Sequence, residues 1–128
     1  MPNQVHAPIL SLLHLHADEQ GDTHFGTEDV ALPLQDFAPP AAPFNASAPR
    51  SAMQYVLIRL PVGWVGEAHP SPRRQILFCL SGSLKITCST GATAMVHQGD
   101  GIVMSDVSGK GHKSEVTSAE PVNAVIVQ

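Results

Sequence analysis

Residues 53 to 127 consist of short apolar runs that are interrupted every few positions by Gly, Pro, Asp or Ser. Runs of this length are typical of β-strands, and the interrupting residues are those that tight turns use. The pattern predicts seven strands, at residues 53–60, 75–80, 84–89, 93–97, 101–105, 113–118 and 122–127. No helix of usable length is evident. Seven short strands with turns at this spacing favour an antiparallel all-β barrel or sandwich.

The first fifty residues have a different composition and pattern. Residues 9–16 (ILSLLHLH) are apolar and predict one strand, whereas residues 18–50 are acidic and contain five prolines. Prolines leave little room for helix or ladder hydrogen bonds, so an extended arm is predicted there. The stretch keeps several large apolar residues, which indicates an arm packed on the sheet rather than a disordered tail. Residues 1–50 are thus expected to pack on a β-barrel of residues 51–128, as one domain.

Composition narrows the class of protein. The chain of 128 residues has 43% hydrophobic residues, 14% charged residues and a formal charge of −4. A chain of this size forms one domain with a real core. It lacks the basic face that nucleic-acid binding needs and any apolar run of about 18 residues that could span a membrane. The first twenty residues contain no Lys or Arg, unlike a secretory signal, so a cytoplasmic location is expected.

The turn at residues 81–83 predicts a hairpin of strands 75–80 and 84–89. Counting across that hairpin places Leu77 and Cys79 on one face and Cys88 on the other, which argues against a disulfide between the two cysteines. The second face is then wholly apolar, with Ile76, Phe78, Leu80, Leu84 and Ile86. Large exposed apolar patches are rare on monomers. A homodimer that buries this face is therefore expected.

Three polar residues at odd positions precede the predicted hairpin. His69, Ser71 and Gln75 have equal parity, so on a regular strand their side chains point to one face. Pro70 and Pro72 can disturb the pleat locally. The spacing predicts a shared pocket for His69 and Gln75 inside the barrel.

These residues resemble the first motif of the cupin family, which is Gly, five residues, His-x-His, three or four residues, Glu, six residues, Gly. Gly63, His69, Gln75 and Gly82 fall at those positions, and Ser71 stands where the second His belongs. The likeness extends over residues 53 to 127. It is closest to small single-domain cupins whose biochemical role is unassigned.

The second cupin motif is Gly, five residues, Pro-x-Gly, two residues, His. Gly99-Asp100 matches its opening and His112 its end, but Ser105 replaces the Pro and two extra residues precede the His. The resemblance implies an antiparallel double-stranded β-helix, or jelly-roll barrel. It also implies that His112 reaches the pocket from a neighbouring strand.

In cupins with complete motifs, three His and one Glu hold a divalent metal. Here the implied ligand set is His69, Gln75 and His112, and the metal would be Zn, Ni, Fe or Mn. This set is neutral and lacks the anionic ligand that lowers the cost of holding a dication. Metal binding should therefore be weaker than in the family. The alternative is a metal-free barrel whose two histidines hydrogen-bond each other through water or bind an organic ligand.

Three basic residues lie close to the motifs. Arg73 and Arg74 follow the first motif, and Lys110 lies between two glycines just before His112. If they gather at the pocket mouth, they favour a ligand with a carboxylate or phosphate. The alternative is that they are solvated loop charges paired with acids.

Three further residues are candidates for contacting a ligand. Ser71 could hydrogen-bond a bound water, Trp64 could cap the pocket or pack the end of the barrel, and Asp106 could restore a carboxylate. Two functions remain open. The first is a small cupin enzyme acting on a small organic acid through a metal used as a Lewis acid. The second is a non-catalytic cupin that binds or senses a small molecule without metal.

Overall fold

The computed structural model describes residues 6–128 and is all-β, with no helix among those residues. The described residues form eleven strands: β1 (Ile9–Ala17), β2 (Thr23–Ala31), β3 (Leu34–Gln35), β4 (Phe44–Asn45), β5 (Tyr55–Leu60), β6 (Gln75–Ser81), β7 (Leu84–Cys88), β8 (Thr93–Val96), β9 (Gly101–Met104), β10 (His112–Val116) and β11 (Val122–Val127). All seven strands predicted after residue 52 are present, with ends within two residues. The turn residues between the apolar runs located them correctly.

The strands form two packed sheets and one small hairpin. The larger sheet has the order β2-β1-β9-β6-β11-β5, the smaller one has the order β10-β7-β8, and β3 pairs only with β4. Residues 64–69, called here the bridge segment, extend the smaller sheet through isolated bridges from Val65 to Glu115 and from His69 to His112. Both sheets therefore end in an edge on the same side, one at β5 and the other at the bridge segment.

The strand order is that of a jelly roll. When β5 is numbered first and the bridge segment second, the core strands run 1-8-3-6 in one sheet and 2-7-4-5 in the other. The chain thus passes repeatedly between two facing sheets, as in the double-sheet jelly rolls of cupins. The predicted all-β jelly-roll class is confirmed.

The N-terminal region differs from the prediction. The predicted strand at residues 9–16 is β1, but the proline-rich arm predicted for residues 18–50 is not confirmed, because β2 pairs with β1 along its full length. Every proline of that stretch lies at position 33 or beyond, so residues 23–31 can donate ladder hydrogen bonds. β1 then joins the large sheet by pairing in parallel with β9.

The predicted hairpin of residues 75–80 and 84–89 is wrong, because β6 and β7 lie in different sheets. The chain turns the corner at Gly82, whose φ of 79° favours glycine and where a Cβ would lie 2.7 Å from the carbonyl oxygen of Pro121. Because the chain changes sheets at this turn, the side chains that point into the core change from odd-numbered to even-numbered positions. The buried residues are odd-numbered in β6 and even-numbered in β7: Gln75, Leu77, Cys79, Leu84, Ile86 and Cys88.

The predicted apolar face is consequently split between the core and the outer surface. Leu84 and Ile86 are buried in the core, whereas Phe78 and Leu80 are exposed. The two cysteines both belong to the core, not to opposite faces as predicted, and both are free thiols. Burial raises the pKa of each thiol. Their chemistry is that of packed, inert side chains.

The core lies between the sheets and is formed by aliphatic residues from both of them, including Leu15, Leu84, Ile86, Ile102 and Val122. At the end nearest β5 and the bridge segment this packing is incomplete and a cavity remains. Within residues 6–128, no helix is long and apolar enough to cross a membrane.

Candidate functional site

The cavity has a volume of about 130 Å³ and lies between the two sheets. Its walls come from six strands and the bridge segment and are mainly apolar. The lining residues are Ile58, Leu60, Trp64, His69, Gln75, Leu77, Leu84, Met104, His112, Ser114 and Ile126. Two surface depressions are larger, at about 260 and 380 Å³, but neither of them is lined by a histidine. Of these three sites, the interior cavity is the one whose lining includes the two histidines of the predicted site.

Two histidines meet at one end of the cavity because the bridge segment pairs with β10. The backbone N–H of His69 donates to the carbonyl of His112 at 3.1 Å, and the N–H of His112 donates back at 3.0 Å. Their ring centroids are 5.1 Å apart. A Cβ at Gly111 would collide with the backbone carbonyl group of His69, so the glycine is what permits this close approach.

His112 is held from behind by a buried carboxylate. Oδ2 of Asp106 lies 2.6 Å from Nδ1 of His112, and Oδ1 accepts a hydrogen bond of 2.8 Å from Oγ of Ser71. Asp106 is 0% exposed and His112 is 4% exposed. Because an ionised carboxylate only accepts hydrogen bonds, Nδ1 of His112 carries a proton. Its other ring nitrogen, Nε2, is left for the cavity.

His69 has a similar arrangement at the open end of the cavity. Its Nδ1 lies 2.7 Å from the carbonyl oxygen of Glu67, which can only accept, so Nδ1 is the donor. In the neutral imidazole Nε2 is then an acceptor. The two rings thus offer two hydrogen-bond acceptors to whatever enters the cavity.

Gln75 lines the cavity, but its amide is already engaged. Its Nε2 donates to Sδ of Met104 at 3.5 Å, and its Oε1 accepts from Nε2 of Gln128 at 2.9 Å. The predicted spacing of His69 and Gln75 therefore does bring both to the pocket. The amide, however, is part of the packed wall.

The donor set can be tested against a divalent metal. Among residues 6–128, no group of three or more His, Cys, Asp or Glu side chains is placed to hold a metal ion. The predicted set of His69, Gln75 and His112 supplies two imidazole nitrogens and one amide that is bonded elsewhere. Catalytic zinc sites use three protein ligands and structural ones use four. These residues do not fit a tightly held metal ion.

Ser71 and Asp106 occupy positions behind the cavity wall. Both are buried and neither lines the cavity, so Asp106 acts on His112 and Ser71 acts on Asp106. Trp64 does line the cavity. Among the candidates for contacting a ligand, Trp64 alone is placed to do so directly.

The three basic candidates do not line the cavity. The Arg74 guanidinium donates to Oε1 of Glu28 on β2 at 3.1 Å, and the Lys110 ammonium donates to Oδ1 of Asp22 at 2.8 Å. That pairing raises the pKa of Lys110 and lowers the pKa of Asp22. Arg73 is exposed and also lies outside the lining. The structure therefore does not bring these charges together at the pocket mouth.

Thr23 is a positioning residue that the sequence did not indicate. It is fully buried, its Oγ1 donates to the carbonyl of Gly111 at 2.9 Å, and the backbone N–H of Ser89 donates to it at 2.7 Å. The neighbouring N–H of Lys110 donates to the carbonyl of Gly21 at 2.9 Å. The turn between β1 and β2 thus fastens the loop that delivers His112. These partners are far apart in sequence, and no local pattern marks them.

Comparisons with known proteins identify no family and no function for the chain. No protein-family model and no curated protein matches the chain. Among solved structures, it is similar to the conserved protein SPY1581 of unknown function from Streptococcus pyogenes, with 24% identity and a TM-score of 0.45 over 64% of this chain and 69% of that one. Protein NMB1881 from Neisseria meningitidis has 19% identity and a TM-score of 0.45 over 62% and 76% of the two chains.

The cupin domain of Cnp3 from Schizosaccharomyces pombe is similar over more of the chain. It covers 97% of this chain and 83% of its own length, with 15% identity and a TM-score of 0.45. At these identities, no activity, ligand or metal can be assigned to this chain from these proteins.

Proposed function

We propose that the chain binds a small, largely apolar organic molecule in the cavity, with His112 as the main polar contact. The observation that supports this is the 2.6 Å hydrogen bond between Asp106 and His112. A buried carboxylate is costly unless it is paired and hydrogen-bonded. Here one carboxylate oxygen bonds the His112 imidazole and the other accepts from the Ser71 hydroxyl, so the buried carboxylate is fully hydrogen-bonded while it holds the imidazole against the cavity.

The chemistry of the walls defines the class of ligand. The cavity is smaller than the roughly 300–1,000 Å³ of pockets for drug-sized molecules, which favours a small metabolite. The two imidazoles offer acceptors, so the ligand should carry a hydroxyl or N–H donor. The anionic ligand expected from the sequence would need a cation, and no Arg or Lys lines the cavity. A neutral alcohol, phenol or amide is the better fit.

The same residues can accept a proton. An imidazole whose Nδ1–H is held by a carboxylate is the arrangement that general bases use, with Nε2 as the accepting atom. We therefore propose ligand binding as the basic function, with proton abstraction by His112 as the chemistry available if the ligand carries an acidic proton.

A thermal-shift screen tests the binding proposal. Small neutral alcohols, phenols and amides are compared with small carboxylates, because a ligand bound only by the folded state raises its stability. A neutral ligand should stabilise the wild type and lose that effect in His112→Ala. The matched control is His97→Ala, since that exposed histidine contacts Ser83, neither residue lines the cavity, and the variant should keep the response. Stabilisation only by carboxylates, lost in Arg73→Ala, would contradict the proposal.

Divalent metal binding is the second candidate. What favours it is that both Nδ1 atoms are bonded to oxygen atoms, so both Nε2 atoms can serve as metal ligands, on rings whose centroids are 5.1 Å apart. Two imidazoles hold a metal weakly, so the test is calorimetric titration of the purified protein with Zn²⁺. Saturable binding of one Zn²⁺ per chain that disappears in both His69→Ala and His112→Ala would establish this candidate. A wild type that binds no Zn²⁺ but still responds to an organic ligand would leave the first proposal alone.

A further inference from the structure

Exposed apolar side chains are concentrated at one edge of the molecule. Of the fifteen large hydrophobic residues that are exposed in the described chain, six lie within residues 53–65. Their exposed fractions run from 43% to 84%. This β5 edge surface consists of Met53, Tyr55, Val56, Leu57, Val62 and Val65.

The strand beneath this surface has one free side. β5 is the last strand of the six-stranded sheet and pairs only with β11, so the backbone groups on its other side have no strand partner among the described residues. Natural proteins protect such edges with Pro, with charged side chains or with a covering segment. β5 contains no Pro, Lys, Asp or Glu, and its one charge, Arg59, donates to Oδ1 of Asn123 at 2.8 Å.

The size of the surface suits a protein partner. A standard interface takes about 800 Å² from each partner, and six large apolar side chains that are each 43% to 84% exposed can supply much of that area. We therefore expect another protein surface to bind this strand edge and its exposed apolar side chains.

We propose that a second copy of this chain covers the β5 edge surface, with the two β5 strands pairing antiparallel about a twofold axis. Antiparallel pairing of one strand with its own copy is two-fold symmetric, which is the symmetry of the commonest oligomer. In that arrangement Arg59, near the end of β5, does not lie opposite its own copy. The apolar side chains of β5 can therefore pack against those of its copy, while the two Arg59 charges stay apart.

The dimer would lie beside the cavity but does not depend on a ligand. Val56 shares the inward parity of Ile58 and Leu60, which line the cavity, yet it is exposed. The gap between the two sheets is therefore open at this edge. Docking of a second copy would narrow that opening, which goes beyond the binding function proposed above.

Light scattering after size-exclusion chromatography tests the interface. The wild type at micromolar concentration should have twice the chain mass of 13.5 kDa, and Leu57→Lys should be a monomer. Leu34→Lys is the matched control, because Leu34 on β3 is also 68% exposed but lies outside the surface; it should remain a dimer. A monomeric wild type, a dimeric Leu57→Lys or a monomeric Leu34→Lys would each overturn the proposal.

Hydrogen exchange on the wild type gives a test that needs no variant. The β5 amides that do not donate to β11 should exchange more slowly as protein concentration rises, because dimer formation gives them partners. Exchange at these amides that is independent of concentration across the range where the mass doubles would place the interface elsewhere and refute strand pairing.

Discussion

Asp106 and His112 are six residues apart in sequence and 2.6 Å apart between Oδ2 and Nδ1, on opposite sides of the loop that enters β10. Removing the carboxylate leaves a buried imidazole N–H and the Ser71 hydroxyl without their partner. Asp106→Ala should therefore lower the free energy of unfolding by about 3–5 kcal/mol, as expected when one partner of a buried pair is removed. Urea unfolding measures this.

A graded series separates charge from hydrogen bonding at the same position. Asp106→Asn keeps an acceptor for His112 and should cost less, about 1–3 kcal/mol, whereas Ser71→Ala removes one hydrogen bond and should cost about 1 kcal/mol. Equal losses of stability in Asp106→Ala and Ser71→Ala would show that the carboxylate does not hold the histidine in the way described.

Gly111 and Gly91 are a matched pair for testing the close approach at His69. Both have positive φ, of 73° and 90°, so alanine at either position costs about 1–2 kcal/mol of backbone strain. Only at Gly111 would the Cβ also collide with the backbone of His69, while at Gly91 nothing lies within 4 Å. Thermal melts should show a much larger loss for Gly111→Ala. Similar losses in the two variants would mean that the loop containing Gly111 moves away from His69 at little cost in free energy.

Thr23→Val should weaken both the fold and the site. The substitution keeps the shape of the side chain but leaves the carbonyl of Gly111 and the N–H of Ser89 without their bonds, at a cost of about 1–3 kcal/mol. It should also broaden the NMR signals of the His112 ring, since the loop before β10 loses its fastening. Thr27→Val, at an exposed position of the same strand, should stay within about 0.5 kcal/mol of the wild type and leave the ring signals unchanged.

The outer face of β1 predicts a pH dependence. His14 contacts Oγ of Ser105 at 2.8 Å, and burial, followed by the nearby His16, lowers its pKa below 6.5. The unfolded chain therefore takes up the proton first as pH falls. The stability that His14 contributes is fully present above pH 6.5 and is lost as pH falls from 6.5 towards the folded pKa.

Unfolding measured at several pH values across 6.5 checks this prediction. The wild type should lose stability on the acid side more steeply than His14→Gln, which cannot take up the proton. Parallel curves for the two proteins would show that other groups account for the whole acid dependence.

The sequence predicted the strands far better than their pairing. Apolar runs and turn residues are local signals, so the seven strands were located to within two residues. A Gly turn, however, looks the same whether two strands form a hairpin or the chain crosses to the other sheet. At Gly82 it crosses, because the turn packs against the carbonyl of Pro121, a contact that no local pattern shows.

The predictions for the candidate site show the same difference between local sequence signals and contacts between distant residues. Motif spacing brought His69, Gln75 and His112 to one cavity, as the resemblance to cupins implied. Arg74 and Lys110 were candidates for the pocket mouth, with pairing to acids as the alternative; they are bound by Glu28 and Asp22, which come from β2 and the turn before it. Ion pairs with distant residues depend on the sheet order. The sequence alone could not supply that order for a region it predicted to be an arm.

The parallel pairing of β1 with β9 has a consequence for the order in which the molecule assembles. Residues 13–15 pair with residues 102–104, so β1 and β2 leave the ribosome long before their neighbour in the sheet has been made. Contacts between such distant segments require loop closure before they form, and folding is slower when such contacts dominate. The β1–β2 hairpin therefore keeps one edge without a partner until β9 has been made. The loop carrying His112 follows β9 in the chain and is fastened by that hairpin, so it too reaches its final position only after β9 exists.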